Sequence, residues 1–326
     1  MKARRSSRPK WLLCTLLLAV IAALLRRWQI ETSFEGELNL AIPMAPASMA
    51  LGCTLVIAAA VFGLLAAGQQ VVEAPRKEQR QGRWDRAMAA PGDPIGLTVL
   101  VLAAFLMLAA VPFLFREGLS MWQMFRSGAE GVSNNGVLML ATAVTAFLAF
   151  VGLLVAGRSA YRGSSGRGGA FLCAVNGCLW LMELYRGHAA DPVLWDYVPM
   201  LLAIVAGMLM YMDWGGLSCG QPRPRRTLWL AGMTAVLSAV ALAGEWQLGE
   251  VLMLCAQTVA AFVVLARLPV NLEHPSWASR VSVPEPERQW RGADGADPDG
   301  EKPEEEKPEE DARTPGQEIQ EEESHE

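Results

Sequence analysis

Amide, hydroxyl and carboxylate side chains recur at a spacing of seven residues within otherwise apolar stretches in the second half of this chain. The three pairs are Asn176 with Glu183, Ser238 with Glu245, and Gln257 with Glu250. Because seven residues are almost two turns of an α-helix, the two members of each pair lie on one helical face. Ionisable groups are costly inside a bilayer, so such a stripe is a candidate site for a cation or a small polar solute.

Alternating helix directions would bring these polar groups to one side of a membrane. Glu183 and Glu250 would lie toward the outer face, and Asn176 and Gln257 near the middle of the membrane. Asp196 would lie at the start of the sixth apolar stretch. The candidate substrate- or ion-binding residues are therefore Asn176, Glu183, Asp196, Glu250 and Gln257. Together they predict a polar cavity that opens outward, as in a transporter or a channel.

A structural interpretation of the same residues remains open. Asn, Gln and Ser side chains hold membrane helices together by hydrogen bonds worth about 0.6–2 kcal/mol each. Glu183 can pair with Arg186, three residues further along the same helix. Asp196 and Glu250 can simply face water at the helix ends. In that case the stripe stabilises the fold and binds no solute.

The sequence contains no catalytic constellation. It has no HExxH pair, Cys/His cluster, phosphate-binding loop or GxSxG motif. We therefore predict no catalytic residues, no metal site and no cofactor, and we expect that the protein is not an enzyme. Nothing in the sequence indicates nucleic-acid binding.

Eight apolar blocks of 15 to 21 residues must position the polar groups. Apolar residues make up 52% of the chain and charged residues 19%, whereas a soluble domain averages about a quarter charged. A membrane-spanning helix needs about 20 apolar residues. The pattern predicts an all-α fold, an eight-span transmembrane helical bundle over residues 1–268. The spans are expected near 11–25, 49–67, 95–115, 137–156, 169–185, 193–212, 228–243 and 248–266.

The basic residues between the blocks predict which loops are cytoplasmic. Segments 1–10, 68–94, 157–168 and 213–227 together hold 16 Lys and Arg, whereas the four alternate segments hold 5. Lys and Arg are retained on the cytoplasmic side of a membrane protein. Both termini are therefore expected in the cytoplasm, and the predicted location is the plasma membrane, with the lipid bilayer as the chief partner.

The first apolar block resembles a secretory signal peptide, because it follows a basic amino-terminal segment. It ends in Arg26 and Arg27 and not in the small residues of a cleavage site. We therefore expect it to remain as a signal anchor.

The segment from 269 to 326 differs in composition from the rest. From Glu285 to Glu326 it holds 17 acidic and 5 basic residues, and the sequence Glu-Lys-Pro-Glu-Glu occurs twice in tandem from Glu301. So few apolar residues cannot form a core, so we predict a disordered cytoplasmic tail. It is either a solvating extension or a contact for a basic cytoplasmic partner.

Two local patterns predict finer structure. Residues 116–136 are expected to form an irregular external loop with some apolar contact, although a helix lying on the membrane is an alternative. Small residues at four-residue spacing allow close helix packing in lipid. Such rows are Ala59, Gly63 and Ala67 in the second span and Ala231, Ala235, Ala239 and Ala243 in the seventh.

One stretch resembles a known group of proteins. It runs from Met182 through Asp191-Pro192 and Asp196-Tyr197 into an apolar span that ends Met210-Tyr211-Met212. This pattern is similar to that of uncharacterised multi-pass membrane proteins of anaerobic Gram-positive bacteria, and the similarity covers about residues 170–227. The resemblance implies a bacterial plasma membrane and no established activity.

Two classes of function remain as the leading hypotheses, and a third, an intramembrane enzyme, is disfavoured because the sequence contains no catalytic constellation. The first is solute or ion transport through the polar stripe of spans five to eight. The second is a non-catalytic membrane scaffold or sensor whose acidic tail contacts a cytoplasmic partner. Transport requires that Glu183, Asp196 and Glu250 converge on an interior cavity, whereas scaffolding does not.

Overall fold

The described part of the chain is entirely helical apart from its connections and one short bridge at Phe34. A computed structural model describes residues 8–34, 42, 44–69, 87–91, 93–128, 135–163, 168–188, 194–219 and 223–273. Within these residues there are eight helices. They are α1 (Arg8–Thr32), α2 (Pro46–Gly68), α3 (Pro94–Arg126), α4 (Gly136–Tyr161), α5 (Gly169–His188), α6 (Leu194–Ser218), α7 (Pro224–Leu242) and α8 (Leu248–Glu273). Of the predicted disordered tail, residues 274–326 lie outside the described residues, whereas residues 269–273 form the last turn of α8, so the tail prediction is wrong for these five residues.

Six of these eight helices are long and apolar enough to cross a membrane, judged by length and composition. The two that fall short are α5 and α7. The sequence of α5 includes four polar residues, Asn176, Glu183, Arg186 and His188. Helix α7 contacts α1, α2, α6 and α8, and nearly all its residues from Thr227 to Ser238 are buried. A helix enclosed by protein does not need the continuous apolar surface that lipid requires.

Contacts between helix ends define one end of the bundle, which we call the proximal end because α1 begins there. The indole N–H of Trp11 donates to Oε1 of Gln69, just after α2, at 3.2 Å. The amide of Gln69 in turn donates to Glu273, the last residue of α8, at 3.3 Å. Near the end of α6, Asp213 pairs with Arg226 in the first turn of α7 at 3.1 Å.

The opposite end, which we call the distal end, is held together in the same way. Gln29 near the end of α1 donates to Ser48 at the start of α2 at 2.9 Å. Asn135, which precedes α4, donates to the backbone carbonyl of Glu183 near the end of α5 at 3.0 Å. Helices α1 and α2 therefore run in opposite directions, and so do α4 and α5.

The prediction of an irregular loop over residues 116–136 is wrong for residues 116–126, because α3 continues without a break to Arg126. Residues 129–134 of that predicted loop lie outside the described residues. Its 33 residues correspond to a length of about 50 Å. The additional turns are held against α4 by two glycines. A Cβ on Gly136 would lie 2.6 Å from the backbone nitrogen of Trp122, and one on Gly118 would lie 3.0 Å from the backbone nitrogen of Leu140. This close backbone approach stabilises helix where composition indicated a loop.

Small residues bring helices together, but of the two predicted rows only the one on α7 is buried against other helices. On α7, Ala231 and Ala235 are fully buried, as predicted. On α2, a Cβ on Gly63 would meet nothing within 4 Å, and Ala67 is exposed. The buried row of α2 is instead Ala58, Phe62 and Ala66.

Helix α2 packs through this face because its middle residue, Phe62, has a large side chain. The ring of Phe62 lies on Gly232 of α7, where an added Cβ would come within 2.9 Å of the ring. A large residue on one helix opposite a glycine on the other buries more surface than two rows of small residues.

Candidate functional site

Gln257 lies at the centre of contact between three helices. Its side chain on α8 is 4% exposed. The amide nitrogen donates to the carbonyl of Ala203 on α6 at 2.8 Å and to the hydroxyl of Ser238 on α7 at 3.3 Å. A Cβ on Gly207 of α6 would overlap the same amide group. The amide therefore joins α6, α7 and α8, and glycine at position 207 makes room for it.

Asn176 on α5 is a second buried amide that contacts neighbouring helices. It is 2% exposed, and its Oδ1 accepts a hydrogen bond from the hydroxyl of Thr145 on α4 at 3.1 Å. Its Nδ2 lies 3.9 Å from the sulfur of Met253 on α8. The side chain thus links α5 to α4 and reaches α8.

Glu183 is buried near the distal end of α5. It is 7% exposed, and its backbone carbonyl, not its carboxylate, accepts the hydrogen bond from Asn135. Within the described residues its Oε2 is buried without a hydrogen-bond partner. The alternative in which Glu183 pairs with Arg186 is wrong, because both residues are described and no ion pair joins them.

Glu250 is 6% exposed and forms part of a helix cap. Its Oε2 accepts a hydrogen bond from the backbone N–H of Gln247 at 3.3 Å. Gln247 immediately precedes α8, so Glu250, the third residue of that helix, reaches back to the capping residue, as in a capping box. This carboxylate stabilises the start of α8, and the expectation that it faces water is wrong.

The remaining predicted site residue, Asp196, lies in the first turn of α6, and its side chain is outside the described residues. In the part of the chain that the structure describes, no three His, Cys, Asp or Glu residues are arranged to hold a metal ion.

A cavity at the proximal end is a second candidate site, and the sequence reasoning missed it. Its volume is about 540 Å³. Its walls come from α1, α3, α8 and the segment that precedes α3. Most lining side chains are apolar, among them Leu12, Ile95, Val99, Phe262 and Val263. The polar groups at this cavity are Asp93, Arg267 and Asn271.

Arg267 is the buried charge of this cavity, with 7% of the residue exposed. Its NH2 lies 3.7 Å from Oδ2 of Asp93, whose Oδ1 accepts from the N–H of Gly96 at 3.2 Å and thereby caps α3. The guanidinium lies against the backbone of α3, since a Cβ on Gly96 would come within 2.6 Å of its Cζ. The sequence signal was an arginine with apolar residues on both sides, directly after the predicted eighth span.

Asn271 holds the segment that forms the remaining wall. Its Nδ2 donates to the carbonyls of Ala87 and Ala89, both at 2.8 Å. The N–H of Ala90 donates to the carbonyl of Ala160 at the end of α4 at 2.9 Å. These bonds attach the segment to α8 and α4, so this wall of the cavity is fixed to the bundle.

Comparison with protein-family models, with curated proteins and with solved structures found no match. The fold therefore supports only a class assignment. The chain has the transmembrane helical character of a multi-pass membrane protein, with six helices suited to a bilayer in the part that the structure describes.

Proposed function

We propose that this protein crosses the plasma membrane of a bacterium eight times, with both termini and the proximal end in the cytoplasm. In this proposal α5 and α7 are also spans. Their 20 and 19 residues give lengths of about 30 Å, which match the hydrocarbon core of a bilayer. The placement of 16 of the 21 loop Lys and Arg in alternate segments supports the orientation.

Within that membrane body, the proposed role is that of a non-catalytic scaffold or sensor. The observation that carries this proposal is the pair of hydrogen bonds from Gln257 to α6 and α7. A polar group that joins three helices stabilises their packing, and a bound solute would have to break those bonds. Asn176, bonded to Thr145, supports the same interpretation. The acidic tail is proposed as the contact for a basic cytoplasmic partner.

Transport through the polar stripe is the second candidate. The observation in its favour is that Glu183 and Glu250 are both buried at the distal end, and that Oε2 of Glu183 has no hydrogen-bond partner among the described residues. Buried carboxylates within membrane helices mark ion pathways in many transporters. Asp196 remains a proposed member of this pathway.

Two measurements test these proposals. Reporter enzymes that are active only outside the cytoplasm, fused after Gly128 and after Glu326, should be active at the first position and silent at the second. Activity after Glu326 would contradict the proposed orientation.

The second measurement is flux of H⁺, Na⁺ and K⁺ into proteoliposomes that contain the full chain. The scaffold proposal predicts no flux above that of empty liposomes. The transport proposal predicts flux that Glu183→Gln combined with Gln257→Leu abolishes, whereas the control Glu245→Gln, outside the helices, does not. A flux that behaves in this way would replace the scaffold proposal.

A further inference from the structure

Three oxygen atoms at the distal end are buried without a hydrogen-bond partner among the described residues. They are Oε2 of Glu183 on α5, Oε2 of Glu117 on α3 and Oδ1 of Asn135, just before α4. Glu183 is 7% exposed and Asn135 is 5% exposed. Most buried polar groups in folded proteins have a partner, and an exception requires an explanation such as a bound ion.

Packing contacts bring these residues to one region of the bundle. Nδ2 of Asn135 donates to the backbone carbonyl of Glu183 at 3.0 Å. A Cβ on Gly118, the residue after Glu117, would lie 3.2 Å from the carbonyl oxygen of Gly136, the residue after Asn135. The distal turns of α3, the start of α4 and the end of α5 therefore meet here.

Asn135 occupies a position where an asparagine ordinarily caps a helix. The side-chain oxygen of such a residue usually accepts a hydrogen bond from a backbone N–H in the first turn. Asn135 precedes α4 directly, but its side chain makes no capping hydrogen bond and bonds to α5 instead. Its oxygen is therefore left for another partner.

The two carboxylates also lack an opposite charge. Within the described residues, neither Glu117 nor Glu183 forms an ion pair. The arginines of the same two helices, Arg116, Arg126 and Arg186, are exposed. The connecting segments 129–134 and 189–193 contain no Lys or Arg. A buried charge is costly unless it is paired, so a cation bound here would stabilise both carboxylates.

The ligand set indicates the kind of cation. Carboxylate and carbonyl oxygens favour hard cations. A divalent ion such as Ca²⁺ takes about six to eight oxygen ligands, and no three His, Cys, Asp or Glu residues of the described chain are arranged to hold a metal ion. Two carboxylates and one amide oxygen suit a monovalent ion better. Transporters of known structure also bind Na⁺ at helix ends.

We propose that the distal end binds one monovalent alkali cation, with Glu183 and Asn135 as ligands and Glu117 as the second neutralising charge. This site deepens the transport candidate and rests on its polar stripe. A sensor would hold the same ion without moving it. Binding and flux are therefore measured separately.

Binding of radioactive Na⁺ to the full-length protein in detergent tests this site. The pH is constant, and choline chloride replaces NaCl at equal ionic strength. We expect saturable binding of one ion per chain, with competition by K⁺. Glu183→Gln should weaken binding about tenfold or more, because loss of a residue that merely supports a metal ligand already costs about 10–100-fold.

Variants at position 135 separate a ligand from a structural contact. Asn135→Leu removes the oxygen and should weaken binding severalfold, whereas Asn135→Asp keeps an oxygen and should bind at least as tightly. Both lose the bond to the carbonyl of Glu183, so a residue with only a structural role would fail in both. Glu245→Gln, an exposed carboxylate at the same end, is the matched control and should leave binding unchanged.

Thermal unfolding identifies any variant that misfolds. In choline chloride, Glu183→Gln should unfold at the same temperature as the unmodified protein or higher, because it removes an unpaired buried carboxylate. Na⁺ should raise the unfolding temperature of the unmodified protein and not that of Glu183→Gln, since only a folded state that binds the ion is stabilised by it.

Four results would overturn the proposal. They are the absence of saturable binding of Na⁺ or K⁺, equal binding by folded Glu183→Gln, loss of binding in both variants at position 135, and displacement of Na⁺ by a lower concentration of Ca²⁺. Binding without flux in the proteoliposomes would exclude transport and leave this site in place. Absence of binding would exclude the site and leave the scaffold proposal in place.

Discussion

The contact between Gly207 and Gln257 offers a quantitative test of how this bundle is held together. Position 207 on α6 has no room for a Cβ while the amide of Gln257 is in place. We therefore expect that Gly207→Ala and Gln257→Ala do not have independent effects. The measurement is a double-mutant cycle on the free energy of unfolding.

The expected magnitudes follow from the contacts. Gly207→Ala gains about 1 kcal/mol in helix propensity. It loses about 1–3 kcal/mol to overpacking and about 1 kcal/mol when the amide bonds break, so the net loss is about 2 kcal/mol. Gln257→Ala removes the same bonds and leaves a space beside α6. In that background the new methyl group at position 207 fits the space, so the second substitution should cost nothing or stabilise slightly. The coupling energy is then about 2 kcal/mol.

The assay is reversible unfolding in detergent micelles or bicelles, with the same conditions for all four proteins of the cycle. Gly63→Ala is the matched control, because it makes the same change in α2 where a Cβ meets nothing within 4 Å. It should be neutral or slightly stabilising. Additive effects within about 0.5 kcal/mol would refute the reasoning, since they would mean that Gly207 and Gln257 are not in contact.

Three further predictions concern other contacts of the bundle. Gly169→Ala should lower stability by more than about 2 kcal/mol, because its Cβ would overlap the backbone carbonyl of Gly152. Thermal unfolding and expression yield measure this loss. Glu250→Ala should lower the free energy of unfolding by about 1 kcal/mol, because the N–H of Gln247 loses its acceptor. Glu250→Gln keeps an acceptor and should lower it less. Equal losses in the two variants would exclude a capping role. Asn271→Leu should increase hydrogen exchange in the segment before α3, because two of its carbonyls lose their donor, and unchanged exchange would show that other contacts fix this segment.

The sequence alone was enough to predict where the helices lie. Each predicted block corresponds to a helix, although most helices extend beyond the block, and α8 continues to Glu273. Lipid leaves a long apolar segment few alternatives to helix, since every backbone polar group must be satisfied within the chain. The same argument fails after residue 115, where α3 continues because Gly118 and Gly136 allow close packing on α4.

Which groups meet one another was decided by the tertiary structure. Hydropathy carries little information on how a helix is rotated about its axis, and so the wrong face of α2 was predicted to pack. Rotation also determines that Gln257 bonds to Ala203 and Ser238. Asp93 and Arg267 are far apart in sequence, and only the packing of α8 against α3 brings them to one cavity. The apolar pattern thus specifies the helices, whereas side-chain shape and hydrogen bonding specify their partners.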